Sequence, residues 1–370
     1  MNPLDPLTDS IHQAAEDEGF VLWGVAPAID STGHADLVRW IDAGYAGQMQ
    51  YFADRVDAYR HPRGVLTGAK SVVVLAFPYP ARSHHDTAIG HGKVARYAWS
   101  GIDYHDVIHP KLKRVCRIIS DTSPDANARG IVDTAPLMER EIAQLAGLGW
   151  RGKNTLLLHR TRGSYFFLAC VLTDIELPSS QPMATAHCGT CTACLQACPT
   201  DAFVRPGVLD ASRCISYLTI EHRGAIDVAL RPGIGEWVFG CDVCQEVCPW
   251  NRKPARRDDR PVQPMETLDL VELFSLTDDQ FHARYRKSPL WRTRRRGMLR
   301  NAAIVIGNQK HAASVPALST GLADEDPVVR GAAAWALGQI GTGEAIEHLR
   351  DRLAMEKDPD VIIEVTAALA

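Results

Sequence analysis

The stretch HCGTCTACLQACPTDAF (His187–Phe203) sets Cys188, Cys191, Cys194 and Cys198 at spacings of two, two and three, and follows the last with Pro199. In that run, three thiolates hold one 4Fe–4S cluster and the fourth reaches across to a second. One run therefore predicts a partner. GCDVCQEVCPWN (Gly240–Asn251) supplies it in part, with Cys241, Cys244 and Cys248 followed by Pro249, one cysteine short. Cys214, in DASRCISYL, can complete it. By the crossed logic of such a pair, one cluster takes Cys188, Cys191, Cys194 and Cys248, and the other takes Cys198, Cys214, Cys241 and Cys244. Zinc is the competing reading, since C-x-x-C pairs also hold that ion, but it gives the two prolines no role. Two clusters with every iron on a thiolate form an electron relay, so the substrate chemistry must lie elsewhere in the chain.

Eight of the ten cysteines fall in this region, which argues for a reducing compartment and ligands instead of disulfides. Cys116 and Cys170 sit in apolar periodic segments and read as core thiols. With 370 residues the chain is long enough for two or three domains, and a net charge of -4 gives no average reason to expect a polyanion partner. No apolar stretch reaches the roughly 20 residues needed to span a bilayer, and MNPLDPLTDS lacks the basic-then-apolar pattern of a signal peptide. The expectation is a cytoplasmic protein with no membrane partner, a monomer.

Outward from the cysteines, helical and strand patterns alternate on the N-terminal side. IHQAAEDEGF, HADLVRWIDAG, DVIHPKLKRVCRIIS and EREIAQLAGLG read as helices; VLWGVAPA, KSVVVLAFPY, GIVDTAPLMER, NTLLLHR and YFFLACVLTD read as strands. GLGWRG (Gly147–Gly152) matches a dinucleotide-binding fingerprint, but a helical pattern precedes it and a strand follows, so it reads as a helix stop and turn. On the C-terminal side LRNAAIVIGN is echoed about thirty residues later by RGAAAWALGQIG, the pattern of a HEAT-like helical pair or of two unrelated alanine-rich helices. The domains expected are 1–182 (α/β), 183–260 (ferredoxin-like, two clusters) and 261–370 (helical, HEAT-like).

The ordered set KSVVVLAFPYP, ARYAWSGIDYHDVI, VDTAPLMERE, GLGWRGKNTLLL, GSYFFL, TDIEL, CISYLTIEHRG and FGCDVCQEVCPWN resembles the epoxyqueuosine reductases. The resemblance covers nearly the whole chain. It implies a nitroreductase-like α/β domain and a base-off cobalamin lying between it and the cluster domain. It also implies electrons passing through both clusters to cobalt, and reduction of epoxyqueuosine to queuosine at the tRNA wobble position. A low-potential flavodoxin or ferredoxin would supply the electrons. The lower-ligand motif D-x-H-x-x-G is absent, because Ile108 follows Asp103-Tyr104-His105 where the glycine would stand, so His105 is expected to be structural or at the cofactor edge.

Asp133 matches the family's proton donor; from the residues alone it reads as the cap of a helix beginning near Pro136. Arg55, Arg96, Asn154, Ser216 and Asp242 match the corrinoid-binding positions. For tRNA, Ala283–Asn301 carries Arg284, Arg286, Lys287, Arg292, Arg294, Arg295, Arg296 and Arg300 interleaved with Tyr285 and Trp291, suited to phosphates and unpaired bases, with Arg223 a further candidate. Two other readings share part of this evidence. A reductive dehalogenase would need neither the basic stretch nor the helical repeat, and a ferredoxin-like electron-transfer module would need no Asp133.

Overall fold

Continuous apolar runs flanked by amphipathic helices should give a sheet covered on both faces. The structure, a computed structural model, describes residues 5–252 and 265–370. In chain order it begins α1 (Pro6–Asp17), β1 (Leu22–Pro27), α2 (His34–Asp42), β2 (Ser71–Pro78), β3 (His91–Val94), α3 (Tyr104–Thr122), β4 (Ala128–Ile131), α4 (Glu139–Leu145) and β5 (Phe166–Thr173). Four of these strands form a sheet in the order β1-β2-β5-β4, with every neighbouring pair antiparallel. Alternating helix and strand patterns suggest parallel crossovers; the observed sheet corrects that, and this part is better described as α+β. Local periodicity records which faces are apolar, not the direction in which each strand returns.

The alternation of β2 shows why both faces must be covered. Val73, Leu75 and Phe77 join Ala169 and Val171 beneath α1 and α3, whose Leu7, Ile11, Ala15 and Ile108, Leu112, Val115, Ile119 recur at helical spacing. Val72, Val74 and Ala76 point the other way, onto Ile142, Ala143 and Ala146 around α4. Gly147 ends that helix at φ +80, a conformation glycine adopts without a Cβ penalty, and the chain turns into a short hairpin pairing Trp150–Arg151 with Leu157–Leu158. The helix-stop reading of GLGWRG is therefore correct.

The cysteine region contributes α5 (Ala193–Gln196), α6 (Ile215–Ile220), β6 (Trp237–Phe239) and α7 (Val243–Glu246), and β7 (Thr267–Asp269) follows. β3 is the middle strand of a second sheet, parallel to β6 and antiparallel to β7. Three stretches distant in the chain thus share one sheet. The expected boundary at 260/261 lies outside the described residues.

The tail folds as α8 (Leu270–Ser275), α9 (Asp278–Tyr285), α10 (Arg294–Gln309), α11 (Val315–Leu322), α12 (Pro327–Ile340), α13 (Gly343–Met355) and α14 (Pro359–Leu369). The two echoed segments are α10 and α12, which pack on each other, and α12 packs in turn on α14. A Cβ on Gly307 would lie 2.6 Å from the Trp335 ring and 3.0 Å from the Ala336 Cα, so this glycine lets the two helices meet closely. α10 also anchors the tail to the cysteine region. The buried Asn301 side chain donates to the carbonyls of Thr219 (2.8 Å) and Val238 (2.9 Å).

Candidate active site

The eight cysteines gather on two short helices and the loops around them. α5 carries Cys194, α7 carries Cys244, and these helices pack together. Cys214 occupies the N-cap position of α6. Burial, then Cys248, Cys188 and Cys191, pushes the Cys194 thiol up; burial, then Cys188 and Cys191, does the same to Cys248. In the other group, burial followed by Cys214 and Cys244 raises Cys241, while Cys198 is a neighbour of both Cys214 and Cys244. Cys244 also feels Cys194, so the two groups lie side by side, close enough for their charges to reach one another. Iron would replace those protons on binding. Among the described residues, no three His, Cys, Asp or Glu side chains are set to hold a single metal ion.

The quartets differ in access. Cys191 is exposed, and its loop is held by Lys153, whose Nζ donates to the carbonyls of Gly189 (2.7 Å) and Cys191 (2.9 Å). In the other quartet all four cysteines are partly buried, and the buried Asn154 amide donates to the Cys244 carbonyl (3.3 Å).

Asp133 stands just beyond β4, exposed, at φ +57, a left-handed conformation in which aspartate is several-fold enriched among non-glycine residues. Its Oδ2 accepts a 2.6 Å hydrogen bond from the Tyr104 hydroxyl, and its backbone N–H donates to Glu139 Oε1 (3.1 Å). It caps no helix. α4 begins at Glu139 behind Met138, with no side-chain cap, which overturns the capping alternative. Tyr104 is fixed between the rings of His105 (4.2 Å) and Phe167 (4.4 Å). His105 in turn bonds Asp103 through Nδ1 (2.7 Å), which raises its pKa, and its buried Nε2 has no protein partner.

Burial, with the Asp133 charge next, pushes Glu139 up to about 8. The folded state therefore keeps a proton that the unfolded chain releases near the ordinary value of 4.5, and stability falls as pH rises between those values. Glu139→Gln, which keeps the acceptor oxygen and never ionises, is expected to widen its melting-temperature advantage over wild type from pH 5 to pH 8. Thermal melts at both pH values check this, and a gap that does not widen rules it out.

An aromatic seam runs from Asp133 toward the loop that carries Cys241. Tyr97 lies 6.2 Å from the Tyr104 ring and 6.1 Å from Phe239, two residues before Cys241. Burial, then the charges of Asp133 and Asp242, raises the Tyr97 hydroxyl, so this one ring lies within the field of both ends.

The five residues expected at a corrinoid divide into two groups. Arg96 and Asp242, both buried, are closed on each other at 3.0 Å, with Glu246 on the same guanidinium nitrogen at 2.8 Å. They brace β3 against the Cys241–Cys244 loop, and Asn154 is spent on Cys244. Arg55 is exposed and Ser216 half-buried, and neither side chain has a hydrogen-bonding partner among the described residues.

The basic stretch is not a single open face. Arg284 pairs with Glu272, Arg292 with Glu221, Arg295 with Asp324 and Arg296 with Asp326, while Arg300 is fully buried. Tyr285 is 2% exposed and cannot stack on a base. Arg223, Arg286, Lys287 and Arg294 have no carboxylate partner among the described residues. Tyr104, Glu139 and Lys153 were not singled out by spacing, because their roles depend on neighbours more than five residues away.

Residues 187–251 match the family described as a 4Fe-4S double cluster binding domain, 60–134 that described as epoxyqueuosine reductase QueG, DUF1730, and 291–370 HEAT repeats. The epoxyqueuosine reductase of Pseudomonas aeruginosa is 40% identical over 351 residues, 92% of this chain and 97% of that one. That of Escherichia coli K12 is 37% identical over 343 residues, 91% of this chain and 90% of the relative. A crystal structure of epoxyqueuosine reductase with an epoxyqueuosine-modified tRNA-Tyr stem loop superposes with a TM-score of 0.90 at 31% identity, covering 98% of each chain. The Bacillus subtilis enzyme, solved with its aspartate-bearing catalytic loop swung out of the active site, gives 0.88 at 30% identity, again over 98% of each.

Proposed function

The chain belongs to the epoxyqueuosine reductase family, and from that premise we propose how its own residues carry the reduction. It is an oxidoreductase that converts epoxyqueuosine in tRNA to queuosine, with a 4Fe–4S double-cluster domain among its parts. Removing an epoxide oxygen as water takes two electrons and two protons. The quartet that includes the exposed Cys191 and the quartet of Cys198, Cys214, Cys241 and Cys244 would each hold one 4Fe–4S cluster, and the pair would supply the two electrons from outside the protein. Asp133, held in place by Tyr104, delivers one proton to the leaving oxygen, and the second comes from solvent, to which Asp133 is exposed. Its backbone N–H is fixed by Glu139, whose neutral carboxyl spares the acid a second negative charge.

Cobalamin fits the region between Asp133 and that quartet. His105 has a buried nitrogen without a partner among the described residues beside Tyr104, and Arg55 and Ser216 retain polar groups free for corrin amides. When bound, it supplies low-potential reducing chemistry at cobalt. Asn154 and the Arg96–Asp242 pair keep the quartet's loop fixed behind it. The α+β part is read as nitroreductase-like and as domain 1–182, followed by 183–260 and 261–370. The protein is read as a cytoplasmic monomer served by a low-potential flavodoxin or ferredoxin. The aromatic seam running from Asp133 toward the Cys241 loop carries this reading. Protein produced anaerobically with iron, sulfide and cobalamin is expected to hold about eight irons, as two cubanes require, and one cobalt, and to turn over an epoxyqueuosine stem loop. Iron without retained cobalt, together with no turnover, would leave only an electron-transfer module.

A further inference from the structure

We propose that the pocket lined by His222, Arg223, Thr293, Arg294, Arg296 and Gly297 binds a phosphate group, and that in the complex with tRNA it holds one backbone phosphodiester beside the modified nucleotide. The second half rests on the tRNA reading above and narrows the basic stretch to a single contact.

The pocket encloses about 320 Å³ where the end of α6 meets the start of α10. Arg223 reaches it while donating to the carbonyls of Arg292 (2.9 Å) and Thr293 (3.4 Å). Arg294 lies over the Trp291 ring, 3.9 Å from its centroid, with its backbone at φ +62, an uncommon and strained value for a residue with a Cβ. Arg296 shares Asp326 at 3.0 Å. Beneath them the buried Arg300 donates only to neutral oxygens, the carbonyls of Leu218, His222 and Gly224 and the side chain of Asn301.

With Arg292, five guanidiniums here share two carboxylates, Glu221 and Asp326, among the described residues. The excess is felt inside the protein. Burial, then Arg296 and Arg223, pushes Arg300 down to about 9, and burial followed by Arg292, Arg294 and Arg296 outweighs Glu221 to lower Arg223 as well. Such a focused positive field, with guanidinium forks able to bind two oxygens at once, is complementary to phosphate. The link to the substrate rests on the tRNA reading: a nucleotide presented to Asp133 has phosphates on either side, and this pocket holds the guanidiniums Arg223 and Arg294 that no carboxylate among the described residues pairs.

The test uses the holoenzyme, an unmodified anticodon stem loop and inorganic phosphate as probes. Arg223→Gln/Arg294→Gln is expected to bind the stem loop at least about tenfold more weakly, and its plot of log affinity against log salt should be shallower by about 0.7, one single-strand phosphate. An uncharged methylphosphonate at one linkage near the wobble position should weaken wild type by a similar factor and leave the variant unchanged. Arg294→Gln alone, which removes no hydrogen bond to the protein, gives the same direction if the double variant folds poorly. Unchanged affinity and slope in the single variant, or no linkage coupled to it, would overturn the proposal. Inorganic phosphate bound by wild type and not by the variant, with equal stem-loop affinity, would make this a free-anion site and overturn the tRNA half. Wild type failing to turn over an epoxyqueuosine stem loop is a separate outcome, which removes the functional reading whatever the pocket binds.

Discussion

Asp133→Asn is expected to keep both clusters and any bound corrinoid while turnover falls by about 10²–10⁴-fold, the usual contribution of a positioned proton donor. The backbone gives no reason for misfolding, since asparagine adopts the left-handed conformation at φ +57 as readily as aspartate. The Tyr104 hydroxyl, which now donates to Oδ2 at 2.6 Å, can donate to the amide oxygen equally well. What disappears is the transferable proton. Iron count, cobalt count and single-turnover reduction of an epoxyqueuosine stem loop separate the two effects. Wild-type turnover in the variant removes Asp133 as the acid, whereas loss of metal would make it structural.

Cys214→Ala should take the second cluster with it, lowering iron from about eight to about four per chain, one cubane's worth, and abolishing turnover. Cys214 lies at the head of α6, outside either compact run, yet it is partly buried and within the field of Cys198. A cubane deprived of one of its four thiolates is expected to be lost. Cys116→Ala is the control. Burial pushes that thiol up to about 11, it lies on α3 against Gly130, and its loss should leave the iron count unchanged. Equal iron in Cys214→Ala and wild type would show that the ligand partition is wrong.

The double-cluster domain was legible because cysteine spacing encodes the local loop, and one run demands another. Helices α1, α3 and α4 and strands β2 and β5 were legible from periodicity. Strand direction was not, since β2 has the same apolar run whichever way its neighbours travel. Which cations of the basic stretch are free was not legible for a related reason. Its countercharges at Glu221, Glu272, Asp324 and Asp326 are 12 to 71 positions away in the pairs with Arg284, Arg292, Arg295 and Arg296, so charge density along the chain says nothing of which cations are already satisfied. Asp133 reads as a helix cap from its local sequence, and only the start of α4 at Glu139, behind Met138, removes that reading. Tyr104 and Glu139, which give the aspartate its setting, are common residue types with no motif of their own.

The three-stranded sheet of β3, β6 and β7 has a consequence for how the protein is made. β3 is synthesised early, yet both its partners come more than a hundred residues later, and β6 ends two residues before the ligand Cys241. Its edges must wait, unpaired, for the cysteine region to arrive, and pairings across such long intervals form slowly. The loop that carries Cys241 and Cys244 therefore takes its final position only when the sheet is complete, which ties the ordering of the second quartet to a late step of folding.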